Sequence, residues 1–336
     1  MAGGQLEAFY LSVDGVFGHS SASFGPYLPV ESLLALVEAE RSGSDPLAFE
    51  NFIMGQDLDL SLFPVGENYW HGVTWGDSAE FNLLGNDDIG LTNRDDTFFA
   101  GDGNDSIYGN DGDDHLDGGA GNDTLRGRNG DDNLMGSGGD DILSGNVGDD
   151  TLGGGNGHDR LYGGRQNDIL YGGNGDDGLF GDSGADRIYG GRGDENIAGG
   201  AGRDRIFGGD GDDRLSGGSD RDRIFTGEGV DFIYGGGGFD QIVVGAGRST
   251  LTGGKGADDF IFIDGIGSHT IVDFEAGRAS EDIILRRVTE ITSYDDLVTN
   301  HMTQDGADVV IDDGAGLTIR LRNVSLSALN AEDFIF

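Results

Sequence analysis

An acidic side chain returns at every ninth residue along most of this chain, and its neighbours are rich in backbone oxygen. Written in blocks of nine from Asn82 to Ile261, the sixth position is Asp in eighteen of twenty blocks, Glu195 and Ser249 being the exceptions. Taken alternately, these positions form two rows. One holds Asp96, Asp114, Asp132, Asp150, Asp168, Asp186, Asp204, Asp222, Asp240 and Asp258. The other holds Asp87, Asp105, Asp123, Asp141, Asp159, Asp177, then Glu195, Asp213, Asp231 and Ser249. Aligned carboxylates repel unless positive charge lies between them. Carboxylate and carbonyl oxygen, with no sulfur and almost no imidazole, is the donor set of a hard cation such as calcium. The chain has no cysteine, which excludes a disulfide framework and a thiolate metal site.

The rest of the block, as in GGAGNDTLR (Gly118 to Arg126), sets the backbone that carries these groups. Gly at the first, second and fourth positions suggests a six-residue turn of left-handed or otherwise strained backbone. The fourth is Gly in seventeen blocks, failing at Arg94, Gln166 and Asp220. The last three residues predict a very short strand whose middle residue, Ile, Leu or Phe in all twenty blocks, points inward. Two blocks close one coil of eighteen residues. Two internal ladders result, one from Ile89 through Leu125 to Leu251, the other from Phe98 through Leu134 to Phe260. One apolar residue per nine buries nothing alone but gains neighbours when coils stack. Ten coils at a strand spacing of about 4.8 Å make a rod about 45–50 Å long. A disordered acidic linker would not need an apolar residue at every ninth place.

The array resembles the RTX (repeat-in-toxin) repeats of secreted Gram-negative proteins. That resemblance covers residues 82–261 and implies an all-β fold, a parallel β-roll of about ten 18-residue coils. It implies multiple calcium ions, each held by sixth-position Asp side chains and by first-, third- and fifth-position carbonyls. The first-position Gly109, Gly118, Gly127, Gly136, Gly145, Gly154, Gly163 and Gly172 therefore join the eighteen Asp as candidate metal ligands. Glu195 is one methylene longer than the pattern and Ser249 is uncharged. Those positions, and the turns carrying Arg94, Gln166 and Asp220, depart from it. HTIVDFEAGRASEDIILRRV (His269 to Val288) resembles the segment that closes such arrays, with a strand, a turn at Ala276-Gly277 and a second strand. The final AEDFIF, acids Glu332 and Asp333 before Phe334, Ile335 and Phe336, resembles an uncleaved signal read by type I secretion machinery. An extracellular, secreted protein is what this resemblance implies.

Three regions are expected: an N-terminal cap or small domain over 1–81, the roll over 82–261, and a β-rich C-terminal cap over 262–336. The first has strand-like AFYLSVDGVFG, a helix in LPVESLLALVEAERSG capped by Ser32 and ended by Gly43, and apolar Phe49, Phe52, Phe63, Tyr69, Trp70 and Trp75. The last has a short helix after Ser293 and strands near Val309–Ile311 and Leu317–Leu321. The start carries no basic and apolar leader of the Sec type, and no run is long enough to span a membrane as a helix. Net charge is −42, from 62 acids against 20 bases. That disfavours nucleic acid and anionic membrane surfaces.

No HExxH, GxSxG or Walker motif is present, and GDSG at Gly181 to Gly184 falls inside a repeat turn. The six histidines are scattered. The expectation is a calcium-binding protein without catalysis. One variable stripe offers an alternative, an adhesin or carbohydrate-binding module. Ninth-position Tyr171, Tyr189, Phe207 and Phe225 share an outer face with seventh-position Arg187, Arg205 and Arg223, while Arg160 and Arg214 lie on the other. The plainer reading of this stripe is a stabilising aromatic ladder whose arginines pair with surplus Asp. A small enzyme or effector function in residues 1–81 is a further alternative.

Overall fold

The structure, a computed structural model, describes residues 6–11, 17–22, 68–71, 79–263, 267–277, 281–286 and 288–336. From Thr97–Asp102 to Arg214–Ser219 every strand is six residues long, as in Thr151–Asn156 and Ile169–Asn174. Each pairs in parallel with the strand one coil on, in a register of eighteen: Leu152 faces Leu170, and Leu161 faces Leu179. Alternate strands build two parallel sheets, so the chain winds as the β-roll that the eighteen-residue period predicts.

The strands are twice the expected length. Each starts at the seventh position and runs through the first three residues of the next block, so the turn is confined to the fourth, fifth and sixth. Turns are tied across coils by the backbone, for example Gly121 N to Gly138 O at 2.7 Å and Thr124 N to Asp105 O at 2.7 Å. The eighth-position ladder is the core, and Leu116, Leu125, Leu134, Leu143, Leu152 and Leu161 are fully buried. A buried leucine contributes about 1.5–3 kcal/mol, whereas ordering nine residues costs several times that. Apolar burial therefore cannot hold the array alone. The rest falls to hydrogen bonds between coils and to whatever neutralises the acidic rows.

The roll begins before residue 82. Asn68–His71 pairs in parallel with Asp87–Gly90, and Ala79–Leu84 with Thr97–Asp102, with a register shift between Glu80 and Leu83. Leu6–Leu11 and Phe17–Ala22 form an antiparallel pair. The expected helix after Ser32, and Phe49, Phe52, Phe63 and Trp75, lie outside the described residues.

The roll also continues past Ile261. Gly267–Ile271 adds in parallel to Gly247–Gly256 and is followed by Leu317–Leu321, while Asp282–Ile284 adds to Asp259–Phe262 and is followed by Phe334–Ile335. Between them lie short helical turns over Tyr294–Asp296 and Leu297–His301. A hairpin of Met302–Asp305 and Asp308–Asp312 follows. Here Phe274, Ile283, Leu285, Ile291, Val309, Ile311, Ile319 and Phe334 give a dense apolar core in place of the single-file ladder. Among the described residues no helix is long and apolar enough to cross a membrane.

Candidate metal centre

Most sixth-position carboxylates are split into two differently treated oxygens. Oδ1 accepts the backbone N–H of the Asp one coil earlier: Asp114 N to Asp132 Oδ1 is 2.9 Å, Asp132 N to Asp150 Oδ1 is 2.8 Å, and Asp123 N to Asp141 Oδ1 is 2.7 Å. Oδ2 is buried and has no hydrogen-bond partner at Asp105, Asp114, Asp123, Asp132, Asp141, Asp150, Asp159, Asp168, Asp177, Asp186, Asp204, Asp213, Asp222, Asp240 and Asp258. An unpaired buried carboxylate oxygen costs more than a lost neutral hydrogen bond, and here the same cost is repeated along two rows. Burial, reinforced by neighbouring carboxylates, raises the pKa of Asp114, Asp132 and Asp150 to about 7, and of Asp168 and Asp222 to about 8.

The first-position glycines explain where Oδ2 points. A methyl group on Gly136 would collide with Oδ2 of Asp141 and lie 2.7 Å from the carbonyl oxygen of Gly154, one coil on. Gly109, with Asp114 and Gly127, repeats this, and Asp123, Asp132, Asp150, Asp159, Asp168 and Asp177 likewise approach Gly118, Gly127, Gly145, Gly154, Gly163 and Gly172. These glycines do not have positive φ; the second- and fourth-position residues do, including Asn110, Arg128, Ser137, Asn146, Gln166 and Asp220. The first glycine is required by the approach of the carboxylate and not by left-handed backbone, which corrects the expectation from sequence. Gln166 and Asp220 take the fourth-position conformation (φ 74° and 75°), and Asp168 and Asp222 beside them keep their unpaired oxygen.

A hard cation fits this arrangement, since unpaired carboxylate oxygen and backbone carbonyl oxygen converge and no soft donor intervenes. Among the described residues no three His, Cys, Asp or Glu side chains cluster as a metal site, so carbonyls would have to complete the shell.

The rows are not equally complete. Asp96 accepts from Thr92 N at 2.9 Å and Thr92 Oγ1 at 2.8 Å, in a block whose first position is Leu91. Glu195 lies against Asp213, and burial together with that carboxylate holds it well above the ordinary range. Further on, the fully buried Thr226 replaces the first glycine and hydrogen-bonds the Asp231 side chain, whose Oδ2 also accepts from Ser249 Oγ at 3.4 Å. In the Ser249 block the first residue is buried Val244. Where the carboxylate is lost, the glycine that accommodated it becomes an apolar filler. Asp96 and Asp231 thus stand apart from the other candidates, and Asp87 joins its row by donating its N–H to Asp105 Oδ1 at 2.7 Å.

Sequence reading missed a second ladder. Fifth-position side chains accept from the fifth-position N–H one coil later, as in Asn104 Oδ1 from Asn122 N (2.9 Å), Asp113 Oδ1 from Asp131 N (2.8 Å) and Asp194 Oδ1 from Asp212 N (2.9 Å). The signal was the recurrence of Asn and Asp before the sixth position.

Fold and site together define a calcium-type β-roll. Residues 92–125, 126–161, 153–188, 189–224, 207–242 and 234–262 match the RTX calcium-binding nonapeptide repeat, and the chain belongs to that family. No curated protein matches it significantly. Among solved structures, extracellular lipase LipA from Serratia marcescens is similar at 19% identity and a TM-score of 0.21, over 70% of this chain and 40% of the lipase chain. The chain thus spans well under half the length of that lipase.

Proposed function

We propose that this is a secreted calcium-binding protein whose roll folds as it binds calcium outside the cell, and which has no catalysis of its own. The observation that carries the reading is the run of buried, unpaired Oδ2 atoms facing first-position glycines. Bound calcium would supply positive charge between carboxylates and take oxygen donors from successive turns. Without it the rows repel, and one apolar residue per block cannot offset chain entropy. An array unfolded in a calcium-poor cytosol suits passage through a narrow type I export channel, with the C-terminal AEDFIF as the signal.

Extracellular modules bind calcium at about 10⁻⁴–10⁻³ M, and a site held at a hundred times its dissociation constant adds about 2.7 kcal/mol to folding. Far-UV circular dichroism during calcium titration of EDTA-treated protein tests this, with magnesium as control. A cooperative gain of β-structure near millimolar calcium is expected. A spectrum already β-rich in EDTA and indifferent to calcium would refute it.

A further inference from the structure

We propose that one outer sheet face of the roll binds a linear acidic polysaccharide. Arg187, Arg205 and Arg223 occupy matched register positions on three successive parallel strands. Arg203 and Arg221 stand in the turns two residues before the second and third of them, and all five side chains are exposed. A quarter of the chain's 20 basic residues therefore lies within three coils of a molecule of net charge −42. The expected pairing with surplus Asp is not found: among the described residues none of the five is ion-paired, the pairs present being elsewhere. Arg223 instead lies over the Phe225 ring at 4.9 Å, and Arg221 over Phe239 at 5.7 Å.

Like charges one strand spacing apart, about 4.8 Å, destabilise a sheet, so the column favours an anionic occupant. Beside it runs a ridge of stacked rings, Tyr171, Tyr189, Phe207 and Phe225, with centroids 5.0, 4.8 and 4.5 Å apart. Beyond the rings, Gly173, Gly191, Gly209 and Gly227 leave the face without side chains. The result is a straight track along the roll axis, cationic on one side and apolar along its middle. A polysaccharide with one carboxylate per ring carries many charges along a single strand and offers C–H faces to the ridge, and guanidinium is the cation best shaped to receive carboxylate. A broad anionic surface would also meet Asp210 and Glu228, each five residues further along the strand from its arginine. A single saccharide strand on the arginine column would not.

This inference rests on the calcium-folded roll, and the experiment separates the two. Short oligogalacturonate is titrated calorimetrically into the full chain in millimolar calcium, beside its uncharged methyl ester, with circular dichroism confirming that each sample has folded. Binding of the acid but not the ester is expected, weakening as salt rises. The triple variant R187A/R205A/R223A should lose about tenfold or more in affinity, roughly 1.4 kcal/mol per tenfold. R160A/R214A, on the opposite face, should bind as the native chain does. No binding by folded protein, equal binding of the ester, or equal loss in both variants would overturn the proposal. So would binding to anionic lipid vesicles with none to the oligosaccharide. A chain that stays unfolded in calcium would overturn the folding reading as well.

Discussion

The two acidic rows are built from the same nonapeptide yet differ along their length. From Asp114 to Asp258 one row repeats a buried, unpaired Oδ2 without a break. The other keeps that pattern to Asp177 and then changes character: Glu195 crowds Asp213, Thr226 and Ser249 occupy Asp231, and Val244 fills the place beside Ser249. The first glycine takes its meaning from this contrast. It is kept where a carboxylate needs room and abandoned where hydrogen bonding or apolar packing does the same job without a metal. Ala100, beside the unpaired Asp105, shows that the smallest side chain can still be accommodated near the start of the roll.

Removing one carboxylate from each row tests directly whether the rows differ. Asp168→Ala should lose the sites on both of its sides, up to about 5 kcal/mol at saturating calcium from roughly 2.7 kcal/mol per site. Asp231→Ala should barely shift the calcium midpoint. Equal shifts by circular dichroism would mean that the rows are equivalent. Gly136→Ala comes next, with an expected cost of about 1–3 kcal/mol from crowding and a raised calcium midpoint. Val244→Ala should cost about 1.5 kcal/mol from two lost buried methyl groups, at an unchanged midpoint. Glu195→Asp sharpens the contrast from the other side, because calorimetry should count additional bound calcium.

Acid should partly replace the metal. The row aspartates from Asp105 onward have folded pKa values raised above the ordinary 3.8, to about 7 for Asp150 and about 8 for Asp168 and Asp222. A raised folded pKa means that the folded state holds more protons. Their contribution is therefore complete below about pH 4 and is lost as pH rises through 6 to 8. In EDTA, lowering pH from 8 to 4 should restore β-structure, and a chain that stays coil throughout would contradict the burial of these groups. The smallest effect expected is Ser249→Ala, about 1 kcal/mol or less in a denaturant melt, with no change in ions bound.

The sequence displayed the period, the inward ladder, both rows and the ten coils of residues 82–261, because a repeat without insertion keeps every contact in phase. It hid the six-residue strands, since glycine in the first two positions reads as turn although its backbone pairs across coils. It hid the neutral segment at Thr226 and Val244, where the meaning of each residue depends on a partner five positions on in its block. It also hid the later coils: Ile271 pairs with Leu251 and Ile283 with Phe260, offsets of twenty and twenty-three that no nonapeptide count follows.

The register of eighteen makes the roll modular. Excising one whole coil, such as residues 127–144, would rejoin every strand to a partner with the same facing positions, so the roll can shorten or lengthen without new contacts. Excising only nine would also fit locally, but would carry every downstream strand to the opposite sheet. Tyr171 to Phe225 would then cross together to the other side of the roll. Length is thus a free parameter of this molecule, adjustable in whole coils like the links of a chain, while the side on which a surface is displayed depends on whether the number of blocks before it is odd or even.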